Sequence, residues 1–126
     1  RKAFGPDNVY PVTDQSIANA QAILDSLEQA FRLRPILYTS SVYWADVYKD
    51  TRMPAGFDQY PLWIADYSKS RAASGTPQLL AGRSRYVFWQ DTEDFVVPGI
   101  KGGGKNGGVD RSMFNGTAAE LKAMTR

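Results

Sequence analysis

The sequence predicts an α/β fold in which about four mainly parallel strands alternate with helices and loops. Three features carry that expectation. The apolar residues of the first segment recur at spacings of 3, 4, 3 and 4, the signature of one face of a helix. Later runs are short and nearly continuously apolar, as strands covered on both faces are. Those runs are separated by helices or long loops rather than by tight hairpin turns, which favours parallel pairing over a sandwich.

Taken in order, residues 13–34 place Ile17, Ala20, Leu24, Leu27 and Phe31 on a single helical stripe, with Thr13 or Asp14 as N-cap and Pro35 closing the helix. Ile36-Leu37-Tyr38-Thr39-Ser40 is a β-prone run whose serines can cap a short helix over 42–48. A polar loop with Pro54 and Gly56 leads to a second strand, Leu62-Trp63-Ile64-Ala65-Asp66-Tyr67, followed by a Ser/Gly/Pro-rich connection over 68–82. The third strand is Arg85-Tyr86-Val87-Phe88-Trp89-Gln90. After it come an acidic corner at 91–94, a Phe95-Val96-Val97 run and a glycine-rich loop over 99–108. A strand over 109–114 and a helix over 117–124, capped by Asn115 or Thr117, complete the chain, and no internal repeat is present. Four strands are half the number in an eight-stranded β/α barrel, which typically needs about 250 residues. This chain has 126.

Composition excludes several chemistries. With no cysteine and no histidine, the serine triad, the Cys-His pair and ordinary zinc sites cannot be completed, and neither a metal nor a cofactor is expected. Carboxylates, tyrosine, lysine and backbone groups remain. Fifteen basic against 13 acidic residues give a net charge of only +2, short of the basic stripe of a nucleic-acid binder, so no nucleic-acid partner is expected. A role on DNA through Lys101 and Lys105 is the weaker reading. No apolar run approaches the roughly 18 to 20 residues that span a membrane, and the first residues, Arg1-Lys2-Ala3-Phe4-Gly5-Pro6, lack the apolar stretch of a signal peptide. The 13% of aromatic residues suits a cleft that holds sugars, peptides or flat ligands.

Several constellations are candidates for a site. Asp91 and Glu93 stand two apart, so that in extended chain both face one way at about 6.5 Å, within reach of the acid and base of glycoside hydrolysis. The competing reading is a solvated acidic turn. Gly99-Ile100-Lys101-Gly102-Gly103-Gly104-Lys105-Asn106 nearly spells a phosphate loop, yet Asn106 replaces the required Ser or Thr and Gly107-Gly108 follow instead of a helix. A flexible surface loop is the simpler expectation. Tyr38, Trp63, Tyr67 and Trp89 fall on three successive strands whose C-terminal ends would converge on one rim, where aromatic faces stack on sugar rings; core filling is the alternative. Asp66 and Gln90 close two of those strands, where polar groups of β/α folds face ligand. Asp110 lies in an apolar strand, where an acid needs a partner such as Arg111 or a function.

In order, Pro35-Ile36-Leu37-Tyr38-Thr39, Leu62-Trp63-Ile64-Ala65-Asp66-Tyr67, Phe88-Trp89-Gln90, Pro98-Gly99-Ile100, Val109-Asp110 and Phe114-Asn115-Gly116 resemble the motifs of glycoside hydrolase family 25, the lysozymes that act as N-acetylmuramidases on peptidoglycan. The resemblance implies a modified, TIM-like β/α barrel, with residues 1–126 forming a single partial domain equivalent to its C-terminal half. It implies Asp110 as an active-site aspartate and Tyr38, Trp63, Asp66, Tyr67, Trp89 and Gln90 as substrate-binding residues. The family's catalytic Asp-x-Glu pair precedes the first helix. No such pair occurs between Arg1 and Thr13, so the general acid is expected upstream and the isolated chain is expected to be inactive. The implied partner is the glycan strand of peptidoglycan, met outside the cell or in the cell wall as by a secreted bacterial enzyme or a phage endolysin. A module that binds peptidoglycan or chitooligosaccharide without cleaving it is the alternative. A half-barrel would also expose sheet edges through which copies could associate.

Overall fold

A computed structural model describes residues 13–48, 56–68 and 73–124. Its elements are α1 (Asp14–Phe31), β1 (Leu37–Ser40), α2 (Ser41–Tyr48), β2 (Leu62–Ala65), β3 (Phe88–Phe95), β4 (Val109–Phe114) and α3 (Ala118–Ala123). The four strands form one sheet in the order β1-β2-β3-β4. The first three run parallel, and β4 returns antiparallel to β3.

Thr13 opens α1 with a reciprocal cap, its hydroxyl accepting from Ser16 N while Ser16 Oγ accepts from Thr13 N. The helix ends at Phe31, four residues before Pro35, because Arg32 turns left-handed (φ 53°) and its N–H bonds Glu28 O at 2.8 Å. The proline is thus not what closes it. Thr117 caps α3 in the same reciprocal way with Glu120.

Alternation along the strands separates two faces. Leu62, Ile64 and Trp89 point towards the helices and join Leu24, Trp44, Phe57, Tyr60 and Leu80 in the core. Trp89, Tyr60, Leu62 and Ile64 are almost wholly buried, each such side chain contributing roughly 1.5–3 kcal/mol. Tyr60 ties the core to α1, donating to Asp25 Oδ1 at 3.0 Å and accepting from Gln21 Nε2 at 3.1 Å. Only the first half of the α1 stripe is covered: Leu24 is buried and Ile17 and Ala20 pack against the core, whereas Phe31 is 70% exposed. On the other face of the sheet the register sets Tyr38 beside Trp63, Trp63 beside Phe88 and Phe88 beside Phe114. Neighbouring rings of this row lie 5.2, 5.7 and 5.3 Å apart.

The third strand departs from expectation at both ends. It begins at Phe88 rather than Arg85 and runs through the acidic residues to Phe95. Its antiparallel partner β4 satisfies the backbone through that stretch, with register shifts between Gln90 and Thr92 and between Thr92 and Phe95. The acidic corner is therefore a bulged strand. No helix among the described residues is long and apolar enough to cross a membrane.

Candidate active-site cleft

Tyr38, Tyr67, Gln90, Glu93 and Asp110 converge on one cleft of about 700 Å³, walled on its far side by Gly103, Gly104, Lys105 and Gly108. The sheet register explains the convergence. Tyr38, Trp63, Phe88 and Gln90 share a face by alternation along three paired strands, and Ser112, the partner of Gln90, shares it with Asp110 two residues away. At the C-terminal ends of β1–β3 the side chains on this face become polar. Tyr38 donates to Gln90 Oε1, and Tyr67 is hydrogen-bonded to Tyr38. Burial, the bond to Tyr38 and the negative charges of Glu93 and Asp110 all push the Tyr67 phenol above its ordinary pKa, so it stays a neutral donor in the cleft.

The two acids that stand as i and i+2 have separate fates. Asp91 is buried and held by Arg111, whose Nε donates to Oδ1 at 2.9 Å and whose Nη2 donates to Oδ2. That pairing raises the Arg111 pKa, and the guanidinium stacks 4.5 Å from the centre of the Phe95 ring. Alternation after Gln90 turns Asp91 inward on the side of Trp89, and the register shifts beyond Gln90 leave Glu93 on the cleft, so the two carboxylates do not form an acid–base pair. Because Arg111 is committed to Asp91, the candidate ion pair between Arg111 and Asp110 does not form, and Asp110 is exposed at the cleft.

The glycine-rich segment is folded rather than loose. Asp94 gathers it, accepting from Asn106 N at 3.0 Å, Gly108 N at 2.9 Å and Asn106 Nδ2. Burial opposes the ionised form of Asp94, but these bonds outweigh it and hold the carboxyl below the usual aspartate range. A Cβ on Gly104 would lie 2.4 Å from Asp94 Oδ1, and one on Gly108 would lie 2.3 Å from the Asp94 carbonyl carbon. The glycines at these positions let two backbones touch. No local pattern announces this latch, since Asp94 and Asn106 stand 12 residues apart.

Two of the expected ligand contacts have other work. Trp89 is 1% exposed and belongs to the core, its indole N–H bonded to Asp66 O at 3.0 Å. It faces the helices because it alternates with Phe88 and Gln90, so it does not line the cleft. Asp66 lines a neighbouring hollow, but its carboxylate accepts from Ser68 N at 3.1 Å and Gln78 N at 2.7 Å and so fastens the connection after β2. Trp63 stands behind Tyr38 in the aromatic row and bonds Ser112 Oγ through its indole N–H at 3.2 Å.

The profile of glycosyl hydrolases family 25 matches residues 9–100. The chain belongs to this family. YegX of Escherichia coli (strain K12) is 33% identical over 100 residues, 79% of this chain and 30% of that protein. Lysozyme M1 of Streptomyces globisporus is 30% identical over 89 residues, 71% of this chain and 26% of that protein. Among solved structures, a muramidase from Acremonium alcalophilum superposes with a TM-score of 0.67 at 24% identity, covering 96% of this chain and 51% of that one. The family 25 chain thus spans under a third of these two relatives and about half of the solved muramidase. The sheet and its helices have the fold of part of a family 25 TIM-like barrel, and the cleft opens where such barrels carry their sites, at the C-terminal ends of the parallel strands.

Proposed function

We propose that this chain supplies the C-terminal half of the groove of a muramidase that hydrolyses the β-1,4 bond after N-acetylmuramic acid in peptidoglycan. The observation that carries the reading is the single cleft shared by Asp110, Glu93, Tyr38, Tyr67 and Gln90 in a family 25 chain. Residues 1–126 act in it as one partial domain. Tyr38 and Tyr67 offer ring faces and hydroxyls to the sugar, Gln90 positions Tyr38, and Trp63 supports Tyr38 from behind. Glu of an Asp-x-Glu pair, contributed by the complementary half, donates its proton to the glycosidic oxygen. Negative charge on Asp110 raises the pKa of that acid and keeps it protonated near neutral pH. The isolated chain, lacking the pair, binds without cleaving. The site of action is the cell wall, outside the cell, as for a secreted enzyme or an endolysin. β1 and β4, each paired on one side among the described residues, are the edges through which copies would associate.

The test is release of reducing ends from purified peptidoglycan. The 126-residue chain alone should give none. A protein spanning a whole family 25 domain that contains this sequence should cleave, and its Asp110→Asn variant should lose activity by about 10²-fold or more, as removal of a charge essential to acid–base catalysis does. Full turnover by the short chain would overturn the division of labour. A spanning protein that binds the polymer yet never cleaves it would favour the binding-module alternative.

A further inference from the structure

One wall of the cleft is fastened through an asparagine that is followed by glycine. In such a pair the glycine amide meets no Cβ of its own as it approaches the asparagine Cγ, so attack on the side-chain amide is least hindered there. The chain has two of these pairs, Asn106-Gly107 and Asn115-Gly116. Asn115 follows β4, its Nδ2 donating to Tyr86 O at 3.1 Å, and it lines a separate hollow beside Arg85 and Tyr86. Asn106 is exposed to water at the cleft wall, and both groups that would react are tied. Its backbone N–H donates to Asp94 Oδ1 at 3.0 Å, and its Nδ2 donates to Asp94 Oδ2. The Gly107 N–H donates to Gly104 O at 2.9 Å across the turn. The same Asp94 carboxylate accepts from Gly108 N at 2.9 Å, and Gly103, Gly104, Lys105 and Gly108 form the wall. The bond that restrains the asparagine is thus one of those that hold the wall.

We propose that Asn106 is a site of spontaneous deamidation, restrained by the Asp94 latch, and that the modification irreversibly unfastens the cleft wall. The Gly107 nitrogen bonds to Asn106 Cγ, the Cγ–Nδ2 bond breaks, and the displaced nitrogen leaves as ammonia with the proton given up by the Gly107 amide. Water then opens the succinimide ring at one carbonyl or the other, giving aspartate or isoaspartate. Either product puts a carboxylate where a donor stood, so two acceptors of like charge face each other in place of the Nδ2–H to Oδ2 bond. Isoaspartate also lengthens the main chain by one carbon before Gly107, which carries Gly108 away from Asp94. This inference is independent of what the cleft binds.

Peptide mapping by mass spectrometry, following the mass gain of amide-to-acid conversion over days in neutral buffer, tests the restraint. In guanidinium chloride Asn106 and Asn115 should both convert. In the folded chain Asn106 should convert about tenfold or more slowly, because attack requires both ties to open and such locally opened states are a minor population. Asp94→Ala should bring the folded rate at Asn106 to within about threefold of the unfolded one, as loss of local protection does, and leave the rate at Asn115 as in the unsubstituted chain. Circular dichroism checks that this variant keeps its fold. Asn106→Asp, which installs the product directly, should abolish the slow hydrogen exchange of the Gly108 amide, whereas Asn115→Asp should preserve it. No conversion of Asn106 in the unfolded chain, or equal rates folded and unfolded, would overturn the restrained site, as would a folded Asp94→Ala that converts no faster. Gly108 protection retained in Asn106→Asp would overturn the unfastening. Should Asp94→Ala fail to fold, the folded-to-unfolded comparison and Asn106→Asp still decide.

Discussion

Replacing Arg111 with alanine strips the counter-charge from a carboxylate that folding has already taken out of water. The Asp91 side chain is 2% exposed, whereas that of Arg111 is 40% exposed. Removing one partner of a fully buried ion pair typically costs about 3–5 kcal/mol. Here water reaches the guanidinium side, so the cost falls at or below the bottom of that range, about 2–3 kcal/mol. Loss of the stacking of Arg111 on Phe95, itself half-exposed, adds about 0.5–1 kcal/mol. The sum is roughly 3 kcal/mol, a large share of the 5–15 kcal/mol that holds a domain together. Urea unfolding at neutral pH is the assay, read as a fall in midpoint of about 1–3 M if the slope stays near the usual 1–3 kcal/mol/M. The double variant Asp91→Leu with Arg111→Met should recover most of the loss, because a buried pair exchanged for apolar groups of similar size is nearly neutral. A loss below about 0.5 kcal/mol in Arg111→Ala, or a double-mutant cycle without coupling, would refute the claim that this pair is what allows β3 to carry an acid into the interior.

Two further outcomes concern the glycine-rich wall. Gly108→Ala sets a methyl 2.3 Å from the Asp94 carbonyl carbon, so backbone must move; glycan affinity should fall while Gly103→Ala, with open space around its Cβ, leaves it unchanged, as titration of the two variants would show. The Asp94 pKa is depressed, so its contribution to holding the loop is present above the ordinary aspartate value and is lost as pH falls through its folded pKa. Amide resonances of Asn106 and Gly108 should move together in that acid window and stay still in Asp94→Asn; movement centred at or above the ordinary value would contradict the latch.

Local pattern carries much of this protein because periodicity and capping act over a few residues. The helical stripe from Ile17 to Phe31, the β-prone runs around Tyr38, Trp63 and Trp89, and the caps Thr13 and Thr117 are all consequences of neighbours in the chain. The ordered motifs from Pro35 to Gly116 likewise point to family 25 before any coordinate is known. What lay outside sequence reach depends on pairing between distant segments. Trp89 and Gln90 are adjacent, yet strand alternation sends one to the core and the other to the cleft, and only the register shows which. The acidic stretch reads as a solvated turn until β4 lies against it, because Arg111 is 20 residues from Asp91. Asp94 likewise reaches 12 and 14 residues ahead to gather a segment that composition alone marks as flexible. Charge and glycine content describe what a residue can tolerate. Whether an acid is solvated, paired or aimed at a ligand is decided by which backbone the fold brings beside it, since the cost of burying charge is set by the partner supplied in space.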